Sequence, residues 1–269
     1  MISIITVCYN AEKAIDRTIQ SVLKQTCKNY EYIFVDGMST DNTLKVIEKY
    51  VPAFKENGIK VRVVSERDRG IYDAMNKGSR LAEGDWINFL NAGDCFHDAL
   101  VLERMQKELE QQADIVVGEV VYVEGFLGRR YPHAELKELK NDMIFCHQAV
   151  FASRKLFVEK EFNQDYRFSA DYDWLLYMYM KGYRFKCVEV IVADYDSEGV
   201  SNQNREKTLA EGERIRNKYG IDGRTNGDAA INWKYRIYKM IAGHRCLAAM
   251  YYRLCGHKQS DLYWISRRG

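Results

Sequence analysis

Five aspartates are the residues of this sequence best suited to catalysis or to binding a cation. A carboxylate can accept a proton as a general base, and its oxygens can coordinate a divalent metal ion. The sequence lacks the dinucleotide fingerprint G-x-G-x-x-G, the P-loop, the zinc-protease motif H-E-x-x-H and the hydrolase motif G-x-S-x-G. These absences disfavour an NAD-dependent dehydrogenase, a P-loop kinase, a zincin and an α/β-hydrolase. The candidates that remain are Asp36, Asp68, Asp94, Asp171 and Asp173.

The first three of these aspartates follow segments that have the pattern of buried strands. Apolar runs predict strands at 2–7, 30–35, 59–64 and 86–90, and apolar residues at helical spacing predict helices at 15–23, 44–51 and 71–82. This alternation predicts an α/β fold, an α/β/α sandwich around a mostly parallel central sheet. Ligands of such sheets bind beyond the carboxyl ends of the strands, so we expect the polar residues that follow the strands to meet at one edge.

The second part of the chain does not continue the regular alternation of strands and helices. The pattern predicts a helix at 99–112, strands at 115–117, 120–123 and 184–192, and a helix at 172–180. It also predicts a strand at 144–151, with Cys146, His147 and Gln148 inside it. We expect residues 1–97 to form a nucleotide-binding half and residues 98–200 to bind the second substrate.

Composition favours a cytoplasmic protein without a nucleic-acid partner. The net charge is +2, with 46% hydrophobic and 29% charged residues, which is ordinary for a globular protein. The seven cysteines are scattered and form no C-x-x-C pair, which argues against a disulfide framework or a zinc site. No apolar run approaches the roughly 20 residues that span a bilayer.

The segment 201–269 is predicted to be a basic helical appendage. Residues 229–260 contain six Lys or Arg and no Asp or Glu, with aromatic and aliphatic residues at helical intervals. This pattern is typical of a helix pair that lies on an anionic membrane surface, here the inner face of the plasma membrane. The alternative is that these helices pack on the main domain and expose a solvated basic face.

Seven short motifs occur in a fixed order along residues 1–200. They are residues 5–10 (ITVCYN), 21–26 (SVLKQT), 35–41 (VDGMSTD), 68–78 (DRGIYDAMNKG), 89–94 (FLNAGD), 146–148 (CHQ) and 170–174 (ADYDW). In this order the motifs resemble those of glycosyltransferase family 2, which has the GT-A fold. The resemblance implies inverting transfer of a sugar from a nucleotide-sugar, with a UDP-sugar as the expected donor. It implies a saccharide or lipid-linked acceptor and a part in making a surface polysaccharide or glycolipid.

The resemblance also implies a role for individual residues. Asp171 matches the catalytic position and would remove the proton of the acceptor hydroxyl. Asp94 would hold a divalent cation, Mn²⁺ or Mg²⁺, against the diphosphate. The residues expected to contact the nucleotide or the substrates are Thr6, Tyr9, Asn10, Asp36, Asp68, Asn76, Asn91, His147 and Gln148.

Two departures from the family pattern leave details open. The family commonly has a D-x-D cluster where this chain has Asn91 to Asp94, so metal binding is expected to need the donor phosphates or to recruit Asn91. The family often has a second aspartate at the position of Gly37, and its absence leaves the base undetermined.

Simpler interpretations stand beside these assignments. Asp36 and Asp94 could be only turn or capping residues. Asp173 is the alternative base to Asp171, His147 could be an ordinary strand histidine, and Asn76 could lie on a helix surface. For the whole chain, the alternatives are a sugar nucleotidyltransferase, which would need a glycine-rich loop after the first strand, and a catalytically inactive partner subunit.

Overall fold

Parallel strands joined by helices form the first third of the chain. The computed structural model describes residues 1–109, 112–124, 127–131, 134–196, 204–221 and 262–264. Its first elements are β1 (Ile2–Cys8), α1 (Ile15–Leu23), β2 (Tyr30–Asp36), α2 (Thr43–Glu56), β3 (Lys60–Ser65), α3 (Ile71–Leu81) and β4 (Trp86–Phe89). β1 lies between β2 and β4, β3 lies beyond β2, and all four strands are parallel. The predicted alternation of strands and helices is therefore confirmed.

The second part of the chain extends the same sheet with mostly antiparallel pairs. Its elements are β5 (Cys95–Phe96), α4 (Val101–Leu109), β6 (Ile115–Glu124), β7 (Leu127–Tyr131), β8 (Val150–Ser153), α5 (Arg154–Glu159), α6 (Ala170–Met180), β9 (Phe185–Asp196), α7 (Arg205–Lys218) and β10 (Leu262–Trp264). Only β6 and β9 are parallel here. The sheet as described is mixed, because a parallel pair needs a long crossover whereas β6 and β7 form a hairpin.

The predicted strand at 144–151 is wrong in its position. His147–Ala149 is a single 3₁₀ turn, and the strand β8 begins only at Val150. The amide of Asn88 on β4 donates to the carbonyls of Gln148 and Val150, at 2.9 and 3.0 Å, and so binds this turn through a side chain. Because β8 runs antiparallel to β4, its beginning lies beside the end of β4. The turn is thereby placed at the carboxyl edge of the parallel strands.

Helices cover both faces of the sheet. Ile4 of β1 belongs to the core under α1, α2 and α4, whereas Ile5 belongs to the core under α3, α5 and α6. This alternation is what a strand buried on both faces requires, since successive side chains point to opposite sides. The three-layer arrangement expected from the sequence is confirmed.

The last described elements pack on the sheet and on α6. β10 pairs with β7 in antiparallel orientation, and α7 packs against α6. The basic helices predicted at 229–260 lie outside the described residues, so the membrane-surface contact stays a prediction. Within the described ranges, no helix is long and apolar enough to cross a bilayer.

Candidate active site

The carboxyl ends of three parallel strands meet at one edge, as the sequence predicted. The backbone N–H of Gly37, after β2, donates to the Cys8 carbonyl at the end of β1 at 2.9 Å. On the other side of β1, the N–H of Ala92 donates to the Val7 carbonyl at 3.2 Å. The loops after β1, β2 and β4 therefore form one continuous rim.

Asn10 fastens the loop after β1 to the loop after β2. Its backbone has a left-handed conformation with φ of 48°, which asparagine tolerates better than most residues. Its N–H donates to Ser39 Oγ at 2.8 Å, and its Oδ1 accepts from the N–H of Thr40 at 2.9 Å. The neighbouring Tyr9 is left 64% exposed at the rim. Because the hydrogen bonds of Asn10 hold the backbone of this loop, the adjacent Tyr9 projects into solvent from a fixed position.

Asp68 and Tyr9 meet over Gly37. A Cβ added to Gly37 would lie 2.5 Å from Asp68 Oδ2 and 3.4 Å from the Tyr9 ring. The other oxygen of Asp68 accepts from the N–H of Gly70 at 3.0 Å, which orients the half-buried carboxylate. A glycine at position 37 is therefore what allows this carboxylate to approach the backbone.

The Asp36 carboxylate stabilises its own loop and joins it to the end of β3. It is fully buried, and its Oδ2 accepts from the N–H of Ser39 at 3.0 Å and from the hydroxyl of Ser65 at 2.6 Å. The hydroxyl of Ser39 donates to its Oδ1. This geometry favours the turn-forming interpretation of Asp36 over direct contact with a ligand.

Thr6 and Asn76 are also used inside the protein. Both are fully buried, and the Thr6 hydroxyl donates to the Leu90 carbonyl at 2.6 Å. The Asn76 amide donates to the Phe162 carbonyl and accepts from its N–H, at 2.9 Å in each case. Neither the predicted substrate contact of Asn76 nor the alternative of a surface position agrees with this placement. These residues join elements that carry the site.

The loop from Asn91 to Asp94 meets the 3₁₀ turn that precedes β8. Gly93 has a φ of 107°, which favours glycine, and its N–H donates to Thr18 Oγ1 at 2.9 Å. The amide of Gln148 donates to Asp94 Oδ2 at 2.8 Å. On the other side of the loop, Asn91 Nδ2 lies 2.9 Å from His147 Nε2.

Two buried oxygens beside Asp94 make this region suitable for a hard cation. Within the described part of the chain, Asn91 Oδ1 and Gln148 Oε1 are buried and have no hydrogen-bond partner. An unpaired buried polar oxygen is costly, and carboxylate and amide oxygens are ligands that Mg²⁺ and Mn²⁺ prefer. The same described residues contain no cluster of three or more His, Cys, Asp or Glu side chains suited to a metal ion. The residues thus fit a cation whose remaining ligands come from outside the protein.

The Asp171 carboxylate lies in the first turn of α6 and is held by defined donors. The Tyr72 hydroxyl and the N–H of Tyr172 each donate to its Oδ1 at 2.9 Å, and His147 Nδ1 lies 3.4 Å from its Oδ2. Its side chain retains 15% exposure. The carboxylate is therefore oriented from inside the protein while part of the side chain stays exposed to solvent.

Tyr72 acts as a hydrogen-bond donor to this carboxylate. Burial first, and then the charge of Asp171, raise the pKa of Tyr72 well above its usual value, so its hydroxyl keeps its proton at neutral pH. The sequence analysis did not select Tyr72, although it lies in the motif at 68–78. The sequence feature that could have identified Tyr72 is its position in the first turn of the helix that follows β3.

His147 links the two parts of the site. If the Asn91 amide donates to its Nε2, its Nδ1 carries the proton and faces Asp171. The predicted residues Asn91, Asp94, His147, Gln148 and Asp171 are thus brought together. The alternative of an ordinary strand histidine is not supported, since His147 lies in a 3₁₀ turn, with one ring nitrogen near Asn91 and the other near Asp171.

Asp173 faces away from this region. It is fully buried, its Oδ2 lies 3.0 Å from Lys160 Nζ, and its Oδ1 lies 2.7 Å from Lys218 Nζ. The pair with Lys218 joins α6 to α7, and together the two pairs leave neither oxygen directed at the rim. The geometry supports Asp171 over the alternative base.

The cysteines around the site are held as thiols. Burial, and then the charges of Asp94 and Asp171, raise the pKa of Cys146 to about 12. Burial likewise raises the pKa of Cys95 to about 12. Since the thiolate is the reactive form, these side chains are poor nucleophiles at neutral pH.

Residues 3–167 match the family profile described as Glycosyl transferase family 2. A curated relative from Mycobacterium tuberculosis, the PGL/p-HBAD biosynthesis glycosyltransferase, is 33% identical over 204 residues, which cover 74% of this chain and 78% of that protein. TarS from S. aureus, solved in complex with UDP, aligns with a TM-score of 0.62 and 20% identity over 90% of this chain and 80% of that one. The mannosyltransferase PcManGT from Pyrobaculum calidifontis, solved with GDP-Man and Mn²⁺, aligns with a TM-score of 0.63 and 18% identity over 95% and 74% of the two chains. This chain shares the fold of both solved structures.

Proposed function

Because the chain belongs to glycosyltransferase family 2 and has its GT-A fold, we propose that it transfers a sugar from a nucleotide-sugar to an acceptor hydroxyl with inversion at the anomeric carbon. The observation that carries this proposal is the placement of Asp171. Its carboxylate is oriented by Tyr72. A single side chain, that of His147, connects it to Asn91, in the loop that ends at Asp94. A general base and a diphosphate site on opposite sides of one reacting carbon are what a single displacement needs.

The proposed reaction uses Asp171 as the proton acceptor. The acceptor oxygen forms a bond to the anomeric carbon while the bond from that carbon to the diphosphate oxygen breaks. The acceptor proton passes to Asp171, and the bonding electrons leave with the diphosphate. One displacement inverts the configuration, so the protein does not need a nucleophile of its own, in keeping with the protonated thiols around the site.

We propose that Asp94 holds a divalent cation, with Asn91 Oδ1 and Gln148 Oε1 as further oxygens. A bound Mn²⁺ or Mg²⁺ would neutralise the negative charge that develops on the leaving diphosphate. A single carboxylate at this position means that the affinity for metal should depend on the phosphates of the donor. The Mn²⁺ in the PcManGT complex supports this assignment by fold likeness only.

We propose that Tyr9, Asn10 and Asp68 border the nucleoside. The exposed Tyr9 ring offers a surface for a base, and Asp68 can accept hydrogen bonds from N–H or O–H donors. Thr6, Asp36 and Asn76 would act indirectly by holding the surrounding loops. A uridine nucleotide is the proposed donor class, supported by the UDP in the TarS complex.

The proposed acceptor is a saccharide or a lipid-linked molecule in the synthesis of a surface polysaccharide or glycolipid. The relative named for PGL/p-HBAD biosynthesis supports a glycolipid setting. A cytoplasmic location, peripheral on the inner face of the plasma membrane, is part of the same proposal and depends on the basic region at 229–260.

A binding screen of nucleoside diphosphates tests the function most directly. UDP, GDP, dTDP, ADP and CDP would be compared by calorimetry and thermal unfolding, each with and without Mn²⁺. We expect UDP to bind in a metal-dependent manner and, at about a hundredfold over its Kd, to add about 2.7 kcal/mol to the free energy of unfolding. Absence of binding under every condition, with no hydrolysis of any nucleotide-sugar, would favour the inactive partner subunit. Release of pyrophosphate instead of nucleoside diphosphate would favour a nucleotidyltransferase.

A Gly37→Ala variant tests the nucleoside site. The added Cβ would lie 2.5 Å from Asp68 Oδ2, so this carboxylate must move. We expect the Kd of UDP to rise about tenfold, with little change in the unfolding temperature because the change is confined to a loop. In an Asp68→Ala background the same substitution should have no further effect, since the clash is removed. An undiminished effect in that background would contradict the proposed role of Asp68.

A further inference from the structure

The turn that leads into the helix carrying Asp171 is held by a residue from another helix. Ser169 occupies the N-cap position of α6 but makes no side-chain capping bond to its own helix. Its hydroxyl donates instead to the Thr208 carbonyl on α7 at 3.3 Å. The carboxylate of Glu211, also on α7, accepts from three consecutive backbone N–H groups. The distances are 2.8 Å to Arg167, 2.8 Å to Phe168 and 3.0 Å to Ser169.

Hydrogen bonds to this turn replace the hydration that the Glu211 carboxylate loses on burial. Glu211 is only 9% exposed, and a carboxylate removed from water is costly unless hydrogen bonds replace its hydration. Bonds from N–H groups to an ionised oxygen are about twice as strong as neutral ones. Three of them on consecutive residues fix the backbone of the turn 167–169.

The turn held by Glu211 ends two residues before Asp171. Its backbone conformation therefore sets where α6 starts and in which direction the first turn of that helix projects. The charge of Glu211 also adds, after burial and the Asp171 carboxylate, to the raised pKa of Tyr72, the donor to Asp171. Glu211 thus acts on the base and on its hydrogen-bond donor.

We propose that Glu211 is a positioning residue for Asp171, supplied by a helix beyond the segment that the family profile matches. Its carboxylate fixes the turn 167–169 and so aims the Asp171 carboxylate at the acceptor hydroxyl. This inference rests on the proposed role of Asp171 as the base. It also assigns α7, within the predicted C-terminal appendage, to the active site.

The test compares Glu211→Gln with Lys218→Gln in the full chain. Both changes remove a charge from α7. Glu211 bonds the turn before α6, whereas Lys218 bonds Asp173 within α6, and Asp173 retains Lys160. Turnover would be measured as hydrolysis of a panel of UDP-, GDP- and dTDP-sugars with Mn²⁺. Kd would be measured with UDP, and amide hydrogen exchange would be followed at 167–169.

We expect Glu211→Gln to lower kcat by about 10–100-fold, because a small displacement of a catalytic group is enough for such a loss. The KM of the donor and the Kd of UDP should stay within about twofold of wild type, since the donor site lies on other elements. The amides at 167–169 should exchange faster in this variant alone. Lys218→Gln should lower stability without a selective loss of kcat. If Glu211→Gln does not fold, Glu211→Asp keeps the charge with a shorter reach and should show a smaller loss of the same kind.

Three results would overturn the inference. They are an unchanged kcat in Glu211→Gln, an equal loss of kcat in both variants, and unchanged exchange at 167–169. A wild-type protein that neither binds a nucleoside diphosphate nor hydrolyses a nucleotide-sugar would instead contradict the proposed function. The exchange measurement separates these cases, because it reports whether Glu211 stabilises residues 167–169 and does not depend on catalysis.

Discussion

Replacing Asp171 by asparagine is expected to lower kcat by about 10²–10⁴-fold and to leave the binding of nucleoside diphosphate intact. Asparagine preserves the size of the side chain and can still accept a hydrogen bond from Tyr72, but it cannot take up the acceptor proton. The loss should therefore appear in kcat with little change in the KM of the donor. Steady-state turnover with the donor that the diphosphate screen identifies, together with calorimetry of UDP, measures both quantities.

Asp173→Asn is the matched control for this prediction. It removes the same charge from the same helix turn, but from a fully buried carboxylate that is paired with Lys160 and Lys218. Breaking a buried pair typically costs about 3–5 kcal/mol, so the expected effect is on the free energy of unfolding. A selective loss of kcat in Asp173→Asn, with near-normal turnover in Asp171→Asn, would reverse the assignment of the base.

Replacing Asp94 by alanine is expected to abolish the metal-dependent part of nucleoside diphosphate binding. With Mn²⁺ present, the Kd of UDP should rise by about 100-fold, which corresponds to about 2.7 kcal/mol. Without metal, the Kd should be nearly unchanged, because the proposed nucleoside contacts Tyr9, Asn10 and Asp68 lie on the loops after β1 and β3. Calorimetric titrations of UDP with and without Mn²⁺ measure the difference directly.

Asp98→Ala provides the control for charge. Asp98 is four residues further along the chain, and its carboxylate bonds Arg104 and the N–H of Leu100 at 2.8 Å in each case. Its removal changes the net charge by the same amount without touching the loop from Asn91 to Asp94. Equal losses in the two variants would point to a general electrostatic effect and against a metal ligand at Asp94.

The sequence determined the parallel strands of the first half and the edge at which the site lies. Short apolar runs separated by helical patterns predict parallel strands, and parallel strands place all their carboxyl ends together. Tyr9, Asn10, Asp68 and Asp94 were therefore predicted at this edge from local pattern and resemblance, and all four lie in the loops there.

The pattern at 144–151 failed for a physical reason. Its apolar residues have the composition of a strand, but a side chain on β4, Asn88, binds two carbonyls of this segment. A hydrogen bond between residues about sixty positions apart leaves no trace in local periodicity. The resulting turn is what brings His147 to Asn91 and Gln148 to Asp94.

Only the tertiary structure separated the partly exposed carboxylate of Asp171 from the buried carboxylates of Asp173 and Asp36. Asp171 and Asp173 are two residues apart in α6, and at 3.6 residues per turn they point to nearly opposite sides of the helix. The sequence could not say which side faces Tyr72 and which faces Lys218. Burial of Asp36 was equally hidden, because a strand-terminal aspartate has the same sequence signal whether it binds a ligand or its own loop.

The part of the site that the sequence determined consists of residues whose positions follow from periodic local structure. The part that only the fold decided depends on contacts between distant segments, such as Tyr72 with Asp171 and Glu211 with the turn at 167–169. Local periodicity reports which face of an element is apolar, but not which distant polar group that element will meet. Such groups find their partners only when the packing of the two helical layers on the sheet brings them within hydrogen-bonding distance.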